Sequence, residues 1–491
     1  MILVVVATVY LSVLVAIGVV CSRRGAASAE DYFLAGRSLG SLVLFMALFG
    51  TNVTAFALLG LPGLAYHKGV GVFGFFGASA AFWGVLVFIL LGYPIWKIGK
   101  ERGYMTPSQM FRDRWQSPWV GRLLLGLLLL YTVPYLVIGI MGGGIAIHTL
   151  SDERVSFGAA AVAVTAVTVF YTSVGGMRGT AWTNVFQAGV FIVFLIVACI
   201  GIGERMGGAE HLFDRLANER PDLLRHQFGD GYWATAFLVG PVSIIAFPHM
   251  FMRLLAARDA RSLRRTIHFY PWALMLLFVP VTLIGVWGAL AHPGLVGKAS
   301  DQILPMLLRD NLNPWLSAAG LAAILAAVMS SLDGQLLTIS TMVSVDVFRR
   351  ADETSGRRWG RISVIVVAAT ALAVALGRYE AIFSISVYAF SGYTLIVPVM
   401  AAAFFWRRST AAGILAGSVA GHLLLLLYSA PASVTNWTGL RLPAADVYPV
   451  AICLAVEIPI IVVVSLLTRP PRESSARLFD DPFGEPRCSI P

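Results

Sequence analysis

Long apolar stretches separated by short polar connections are the dominant pattern of this chain. Most stretches contain about 20 residues or more, the length that an α-helix needs to cross the hydrocarbon core of a bilayer. The pattern predicts about thirteen transmembrane helices, which we call spans 1 to 13, at residues 2–21, 39–66, 74–98, 122–150, 156–174, 184–204, 232–254, 268–292, 315–345, 361–377, 381–405, 410–428 and 447–468. The chain is therefore predicted to be an all-α integral membrane protein.

The composition agrees with this prediction and excludes a soluble domain. Hydrophobic residues make up 58% of the chain, charged residues 13%, and the mean hydropathy is +0.78. The net charge of +10 comes from basic residues scattered over short loops, so nucleic acid is not an expected partner. Residues 2–21 are long enough to span the bilayer and no cleavage site follows, so we interpret them as a span rather than a signal peptide.

The placement of arginine and lysine predicts the orientation in the membrane. An external N-terminus puts roughly 26 of the 36 Lys and Arg residues on the cytoplasmic side, the asymmetry typical of multi-pass proteins. We therefore predict a protein of the inner or plasma membrane with its N-terminus outside, its C-terminus inside and lipids as its surroundings.

Span 9 carries an unusual number of hydroxyl groups for a membrane helix. Ser330 and Ser331 follow Ala327 by three and four residues, so both hydroxyls lie beside the Ala327 carbonyl. Neutral oxygens without a carboxylate suit a monovalent cation better than a divalent one. The alternative is that these serines only bond to the preceding turn or to a neighbouring helix.

Span 2 is predicted to be broken, because Gly50, Thr51, Asn52 and Thr54 cluster near mid-depth. A break would free carbonyls for an ion and expose the N-terminus of the second half-helix to an anionic group. Span 7 repeats the signal, since Gly240 and Pro241 interrupt it. Interrupted helices that open two runs of five spans are typical of inverted-repeat transporters, although Gly and Pro are also common in ordinary membrane helices.

This pattern divides the chain into six segments. Residues 1–38 contain span 1 and a cytoplasmic loop, 39–204 the first five-helix repeat, and 205–231 an external loop with a predicted surface helix. Residues 232–405 form the second five-helix repeat, 406–468 contain two further spans, and 469–491 are predicted to be a disordered cytoplasmic tail.

Several segments together resemble the sodium:solute symporter family. They are Asp-Tyr-Phe-Leu-Ala-Gly-Arg-Ser at 31–38, Gly-Leu-Pro-Gly at 60–63, Tyr-Thr-Ser-Val-Gly-Gly-Met-Arg at 171–178, Phe-Pro-His-Met-Phe-Met-Arg at 247–253 and Ala-Ala-Val-Met-Ser-Ser at 326–331. The resemblance implies a leucine-transporter-like fold of two inverted five-helix repeats, with one extra helix before them and two after. It also implies sodium-driven uptake by alternating access.

Carried over by position, the family's common Na⁺ site falls on the carbonyls of Gly50, Val53 and Ala327 and on the hydroxyls of Ser330 and Ser331. The chain departs from the family at two other positions. Asn184 stands where many members have an acidic residue, and Asn52 stands where some have aspartate. Both changes argue against a second sodium site, unless Asp333 supplies the carboxylate for a second cation or a proton.

The substrate candidates are polar and aromatic residues near the break in span 2 and on the spans expected to face it. They are Thr51, Asn52, Thr54, Phe56, Tyr135, Phe247, Tyr388 and Ser391. Few charged residues lie at mid-depth, so a small monoanion held by the half-helix N-terminus is favoured over a highly charged solute. The segments are most similar to those of family members that carry monocarboxylates or pantothenate.

These observations favour a transporter over an enzyme: a sodium-coupled symporter that imports a monocarboxylate or a related organic acid. Two alternatives remain open. One is a proton-coupled carrier of the same fold that uses Asp333, and the other is a solute sensor that signals through a partner. No obligate protein partner is inferred.

Overall fold

The computed structural model describes residues 2–22, 28–348, 353–377, 381–429, 446–470, 479 and 481–484, and these residues form a helical bundle without a β-strand. Ten helices are long and apolar enough to cross a bilayer, and two bent helix pairs bring the number to twelve. The helix Phe157–Arg205 contains 49 residues and leaves helical geometry at Gly176. Its length is roughly 74 Å, more than twice the hydrocarbon thickness, so it comprises two spans. The described residues therefore contain thirteen spans, as predicted.

The spans have the following bounds in chain order. Span 1 is Ile2–Ser22, span 2 is Ser41–Asn52 with Phe56–Lys68, span 3 is Phe73–Arg102, span 4 is Pro118–Leu150, spans 5 and 6 are Phe157–Arg205, span 7 is Asp230–Ala246 with Pro248–Leu255, span 8 is Ala260–Ala291, span 9 is Pro314–Val347, span 10 is Glu353–Gly377, span 11 is Ile382–Phe405, span 12 is Ala411–Tyr428 and span 13 is Pro449–Leu467. Shorter helices in the connections are Ala29–Leu34, Ala35–Arg37, Pro107–Trp115, Ala209–Glu219, Pro221–Leu224, Gly297–Gln302 and Ile303–Asn311. The helix Ala209–Glu219 lies in the loop for which the sequence predicts a surface helix.

Two spans are broken, and each opens one of the two runs of five. Span 2 bends by 57° after Asn52, where the sequence predicts a break. Span 7 bends by 55°, but its break lies at Phe247 and not at Gly240 and Pro241 as predicted. Both Gly240 and Phe247 precede a proline, which disfavours helical geometry through a clash that involves the Cβ of the preceding residue. Gly240 has no Cβ and stays helical at the start of a 3₁₀ helix, whereas Phe247 is extended (ψ 122°).

Span 9 is the centre of the bundle. It is the most buried candidate membrane helix, and nearly every residue from Ser317 to Met342 is shielded. It packs between spans 4, 5, 6 and 10, and span 2 crosses it beside the break. Polar groups on span 9 therefore face other helices, as their cost in lipid requires.

The segment at residues 31–38 connects the ends of several spans. Arg37 donates hydrogen bonds to the carbonyls of Tyr104 (2.8 Å) and Leu255 (3.3 Å), next to the ends of spans 3 and 7. Asp31 forms an ion pair with Arg178 on the helix that contains spans 5 and 6, with 2.6 Å between the charged atoms. The segment at residues 31–38, one of those that resemble the family, therefore holds the ends of three helices together.

Part of the predicted tail packs against the bundle. The prediction of disorder at residues 471–478, 480 and 485–491 lies outside the described residues. Phe479, in contrast to that prediction, is buried against Phe404, with 6.0 Å between the ring centroids. Asp481 forms an ion pair with Lys97 at 3.6 Å. These residues bring the tail to the ends of spans 3 and 11.

Candidate functional site

The break in span 2 begins at Val53. The Val53 backbone is extended (φ −82°, ψ 114°), and Asn52 is the last residue of the first half-helix. A helix interrupted at this point leaves carbonyls of its last turn without partners from the same helix. The Gly50 and Val53 carbonyls instead accept hydrogen bonds from span 9.

The five residues predicted to form the sodium site lie together. The Ser330 hydroxyl donates to the Gly50 carbonyl (2.8 Å) and the Ala327 carbonyl (2.9 Å). The Ser331 hydroxyl donates to the Val53 carbonyl (2.8 Å) and the Ala327 carbonyl (3.2 Å). All five residues are buried. The result is a cluster of neutral oxygens from two spans, with no carboxylate among them, which is the chemistry of a monovalent cation site.

Asp333 lies one turn further along span 9 and has a different environment. Tyr171 and Thr183 each donate a hydrogen bond to its carboxylate, both at 3.2 Å. The guanidinium of Arg253, on the second half of span 7, lies 3.6 Å from the other carboxylate oxygen. Asp333 and Arg253 are both fully buried. The negative charge in the core is thus matched by a positive charge of the protein itself.

Asn184 connects this ion pair to the broken helix. We assign its amide in the orientation that satisfies both of its ends. It then donates to Asp333 (3.2 Å) and accepts from Arg253 (2.7 Å) and from the Thr51 hydroxyl (2.8 Å). One network therefore reaches from the break in span 2 through span 6 to spans 7 and 9, directly beside the serine cluster.

A small cavity of about 60 Å³ lies on the other side of the break. Of the predicted substrate residues, Asn52, Phe56 and Phe247 line it. Phe56 and Phe247 both pack against Phe390, with centroid distances of 5.0 and 5.4 Å. Asn52 and Ser243 supply the polar side chains of the lining. The cavity therefore offers aromatic walls and neutral hydrogen-bonding groups.

The other predicted substrate residues do not line this cavity. Thr51 belongs to the Asn184 network, and Tyr135 packs behind Phe247 at 5.3 Å. Tyr388 packs on Tyr131 at 5.6 Å, and Ser391 lies beside Tyr448. These positions are set by contacts between distant helices, which sequence spacing does not specify.

The predicted carboxylate site at the half-helix N-terminus is already satisfied internally. The Thr54 hydroxyl accepts the Phe56 N–H at 2.9 Å. The Thr54 carbonyl accepts the N–H groups of Ala57 and Leu58. This is ordinary N-capping by threonine. In this conformation the N-terminus therefore offers an anion none of these three donors.

Sequence reasoning missed several residues at the two sites. Phe76, Ser243 and Phe390 line the cavity, but aromatic and small residues are too frequent in membrane spans to mark a site. Arg253 had a usable signal, because an arginine inside an apolar span requires a partner. Asp333, an acidic residue of span 9, supplies that partner.

The chain is similar to several known transporters along most of its length. A profile of the sodium:solute symporter family matches residues 32–421. The sodium/proline symporter of Escherichia coli is 27% identical over 501 residues, covering 96% of this chain and 94% of that protein. The sodium/pantothenate symporter of Haemophilus influenzae is 25% identical over 413 residues, covering 80% and 82%. A solved structure of a sodium-coupled sialic acid symporter is similar with a TM-score of 0.81 at 17% identity, covering 96% of this chain and 99% of that chain.

Proposed function

Because this chain belongs to the sodium:solute symporter family, we propose that it uses one sodium ion per cycle to import a small organic solute by alternating access. The solute we propose is a monocarboxylate or a related organic acid. The observation that carries the sodium assignment is the serine cluster, in which span 9 meets the freed carbonyls of span 2.

Sodium would be held by the carbonyls of Gly50, Val53 and Ala327 and the hydroxyls of Ser330 and Ser331. A hydroxyl oxygen keeps its lone pairs when the O–H rotates, so each serine can turn from donating to a carbonyl to coordinating a cation. The ligands come from two spans, one of them broken. An ion that binds both spans stabilises the conformations in which they touch, and this links sodium binding to the transport cycle.

The cavity beside the break supports a small solute with an apolar body. Its aromatic walls suit hydrocarbon groups, while Asn52 and Ser243 can hydrogen-bond a carboxylate. No Asp, Glu, Lys or Arg is among the described residues that line it, which favours a solute of low net charge. The relative named for pantothenate supports the same class, because pantothenate is a monocarboxylate. Proline, for which another relative is named, shares the carboxylate but is a zwitterion.

The Asp333–Arg253 pair supports a single coupled sodium. A second cation at this depth would need a carboxylate to offset its charge. The family resemblance implies a carboxylate at the position where this chain has Asn184, and Asp333 already faces a guanidinium at 3.6 Å. The same pairing disfavours Asp333 as a proton carrier. Uptake driven by a pH gradient in the absence of sodium would nevertheless identify the proton-coupled alternative.

The proposal is tested with purified protein in proteoliposomes, first by screening organic acids, amino acids and sugars for sodium-dependent thermal stabilisation and uptake. Ser330→Ala and Ser331→Ala should then each raise the sodium concentration for half-maximal uptake at least about fivefold, corresponding to roughly 1 kcal/mol of lost binding energy. Both variants keep a small residue that packs readily between membrane helices, so yield and thermal stability without sodium should stay near wild type.

Thr338→Val is the matched control. Thr338 is also buried in span 9, but among the described residues its hydroxyl bonds only to the Gly334 carbonyl of its own helix, at 2.8 Å. Its removal should leave the sodium dependence unchanged. If the two serine variants behave like Thr338→Val, the serines are structural and the sodium assignment fails. If they lose sodium activation while no organic acid is transported, only the solute class is wrong.

A further inference from the structure

A long groove runs along the outer surface of the bundle, between spans 3 and 8, with a volume of about 780 Å³. Each wall is one face of a helix, because its residues recur every three to four positions. Span 3 contributes Ala81, Val85, Ile89 and Tyr93, and span 8 contributes Ala260, Leu263, Arg264, Ile267, His268, Pro271, Trp272 and Met275. Phe483 of the tail also lines the groove and stacks on Tyr93, with 6.3 Å between the ring centroids. Trp272 is 69% exposed and Ile89 is 46% exposed. The groove therefore opens toward the surrounding lipid and lies apart from the sodium and substrate sites.

The groove has an apolar end and a basic end. Met275 and Ala81 belong to the apolar end, and Arg264 and His268 line the basic end. The adjacent Arg261 and Arg265 are also exposed on span 8 but are not among the lining residues. None of the described residues that line the groove is acidic, and Asp481 of the nearby tail pairs with Lys97. The acidic residue that caps span 8, Asp259, pairs with Arg258 at 2.9 Å, so the positive charge at the groove is not neutralised there.

The basic end coincides with the ends of both helices. The Lys100 ammonium, near the end of span 3, donates to the Arg258 carbonyl just before span 8 at 3.0 Å. From Tyr93 to Ala81 the groove extends over 12 residues of helix, or roughly 18 Å. One leaflet of the hydrocarbon core is about 15 Å thick. The groove thus has the length of a single lipid, with its charge at the headgroup level.

We propose that this groove binds one anionic glycerophospholipid. The phosphate lies against Arg264 and His268, because a guanidinium recognises phosphate oxygens with two parallel hydrogen bonds. An acyl chain lies along Val85, Ile89 and Met275. Basic pockets between membrane helices have the chemistry that recognises anionic headgroups, and apolar walls alone would accept any lipid chain. The basic end therefore selects an anionic headgroup, and the apolar end binds the acyl chain of the same lipid.

A lipid in this groove contacts helices that adjoin the broken span 7, and so it can influence transport. Span 8 begins immediately after the second half of the broken span 7, which carries Arg253. Span 3 packs on the same broken helix through Trp96, whose indole donates to the Ala257 carbonyl at 3.0 Å. A lipid seated between spans 3 and 8 thus holds together two helices that frame the ion-pair end of span 7.

The test uses the full-length protein in detergent, titrated with phosphatidylglycerol, phosphatidylcholine or inorganic phosphate while the thermal unfolding midpoint is measured. Phosphatidylglycerol should raise the midpoint and be retained in native mass spectra, and the other two should not. Arg264→Gln should weaken the apparent affinity for phosphatidylglycerol about fivefold, the effect of one lost charge contact. Arg265→Gln removes the same charge one residue away, outside the groove lining, and should leave the affinity unchanged.

A second pair of variants tests the apolar end. Val85→Trp fills the groove and should abolish retention of the lipid, whereas Leu86→Trp adds the same ring on a neighbouring position outside the lining. Equal losses in Arg264→Gln and Arg265→Gln would overturn the proposal in favour of diffuse surface charge. Equal stabilisation by phosphatidylcholine, or full affinity in Val85→Trp, would overturn it as well. Each variant is first checked for a wild-type midpoint without added lipid.

Discussion

At the scale of single residues, the buried ion pair between Asp333 and Arg253 is the central interaction of the site. Both side chains are buried, and the charged atoms are 3.6 Å apart. Two charges withdrawn from water at this depth are tolerated only as a pair with additional hydrogen bonds, which Tyr171, Thr183 and Asn184 provide. The pair joins span 9 to the second half of span 7.

We therefore expect that Arg253→Gln destabilises the protein by about 3–5 kcal/mol, because it leaves the Asp333 carboxylate buried without a counter-charge. The double variant Arg253→Gln, Asp333→Asn should be more stable than Arg253→Gln alone, since neither charge remains. Thermal unfolding midpoints of the two single variants and the double variant measure this difference. A double variant as unstable as the sum of the two single variants would mean that the two residues act independently.

At the scale of elements, Gly176 separates spans 5 and 6. Its backbone conformation (φ 55°, ψ −159°) is open almost only to glycine, and an added Cβ would lie 2.9 Å from Tyr32. Gly176→Ala should therefore lower stability by roughly 1–3 kcal/mol. Gly189→Ala is the control on the same helix, where an added Cβ meets nothing within 4 Å and alanine is the better helix former. A midpoint that falls equally in both variants would show that the kink at Gly176 is not required.

The sequence predicted the membrane-spanning helices more accurately than the positions at which two of them are broken. The spans follow from apolar length alone, and the break in span 2 follows from the glycine, threonine and asparagine residues around Asn52. The break in span 7 was misplaced because two helix-disrupting signals, Gly240–Pro241 and Phe247–Pro248, stand seven residues apart. Only the first of them could continue as a 3₁₀ helix.

At the sites, too, contacts within one helix could be predicted from the sequence, whereas contacts between different helices could not. Ser330, Ser331 and Ala327 lie on one turn, so their convergence could be predicted from the helical period. The carbonyls of Gly50 and Val53 were assigned through the family resemblance, and the structure brings them to the serines. The pairing of Asp333 with Arg253 joins residues 80 positions apart on different helices, and neither periodicity nor composition specifies such a contact.

At the scale of the whole molecule, the orientation in the membrane is the first open prediction. The arginine asymmetry places position 24, which lies outside the described residues, in the cytoplasm and Asp152 outside. In a background without native cysteines, an impermeant thiol reagent added to intact cells should label Asp152→Cys and leave Arg24→Cys unlabelled until the membrane is permeabilised. The reverse labelling pattern would invert the topology and place the Arg264 end of the lipid groove in the outer leaflet.

Charge balance over the whole cycle gives the last prediction. With Asp333 paired to Arg253, we expect one sodium per cycle and a Hill coefficient for sodium of about one. For a monoanionic solute the transported charges cancel, so uptake should respond little to membrane voltage. Arg253→Gln would free the Asp333 carboxylate, and the coefficient should then rise above one. Adding Asp333→Asn to that variant should return the Hill coefficient to about one.

Sodium-dependent uptake in proteoliposomes at fixed voltage measures each coefficient. A wild-type coefficient clearly above one that persists in Asp333→Asn would contradict the proposal, because Asp333 is the only acidic residue of span 9 between Pro314 and Val345.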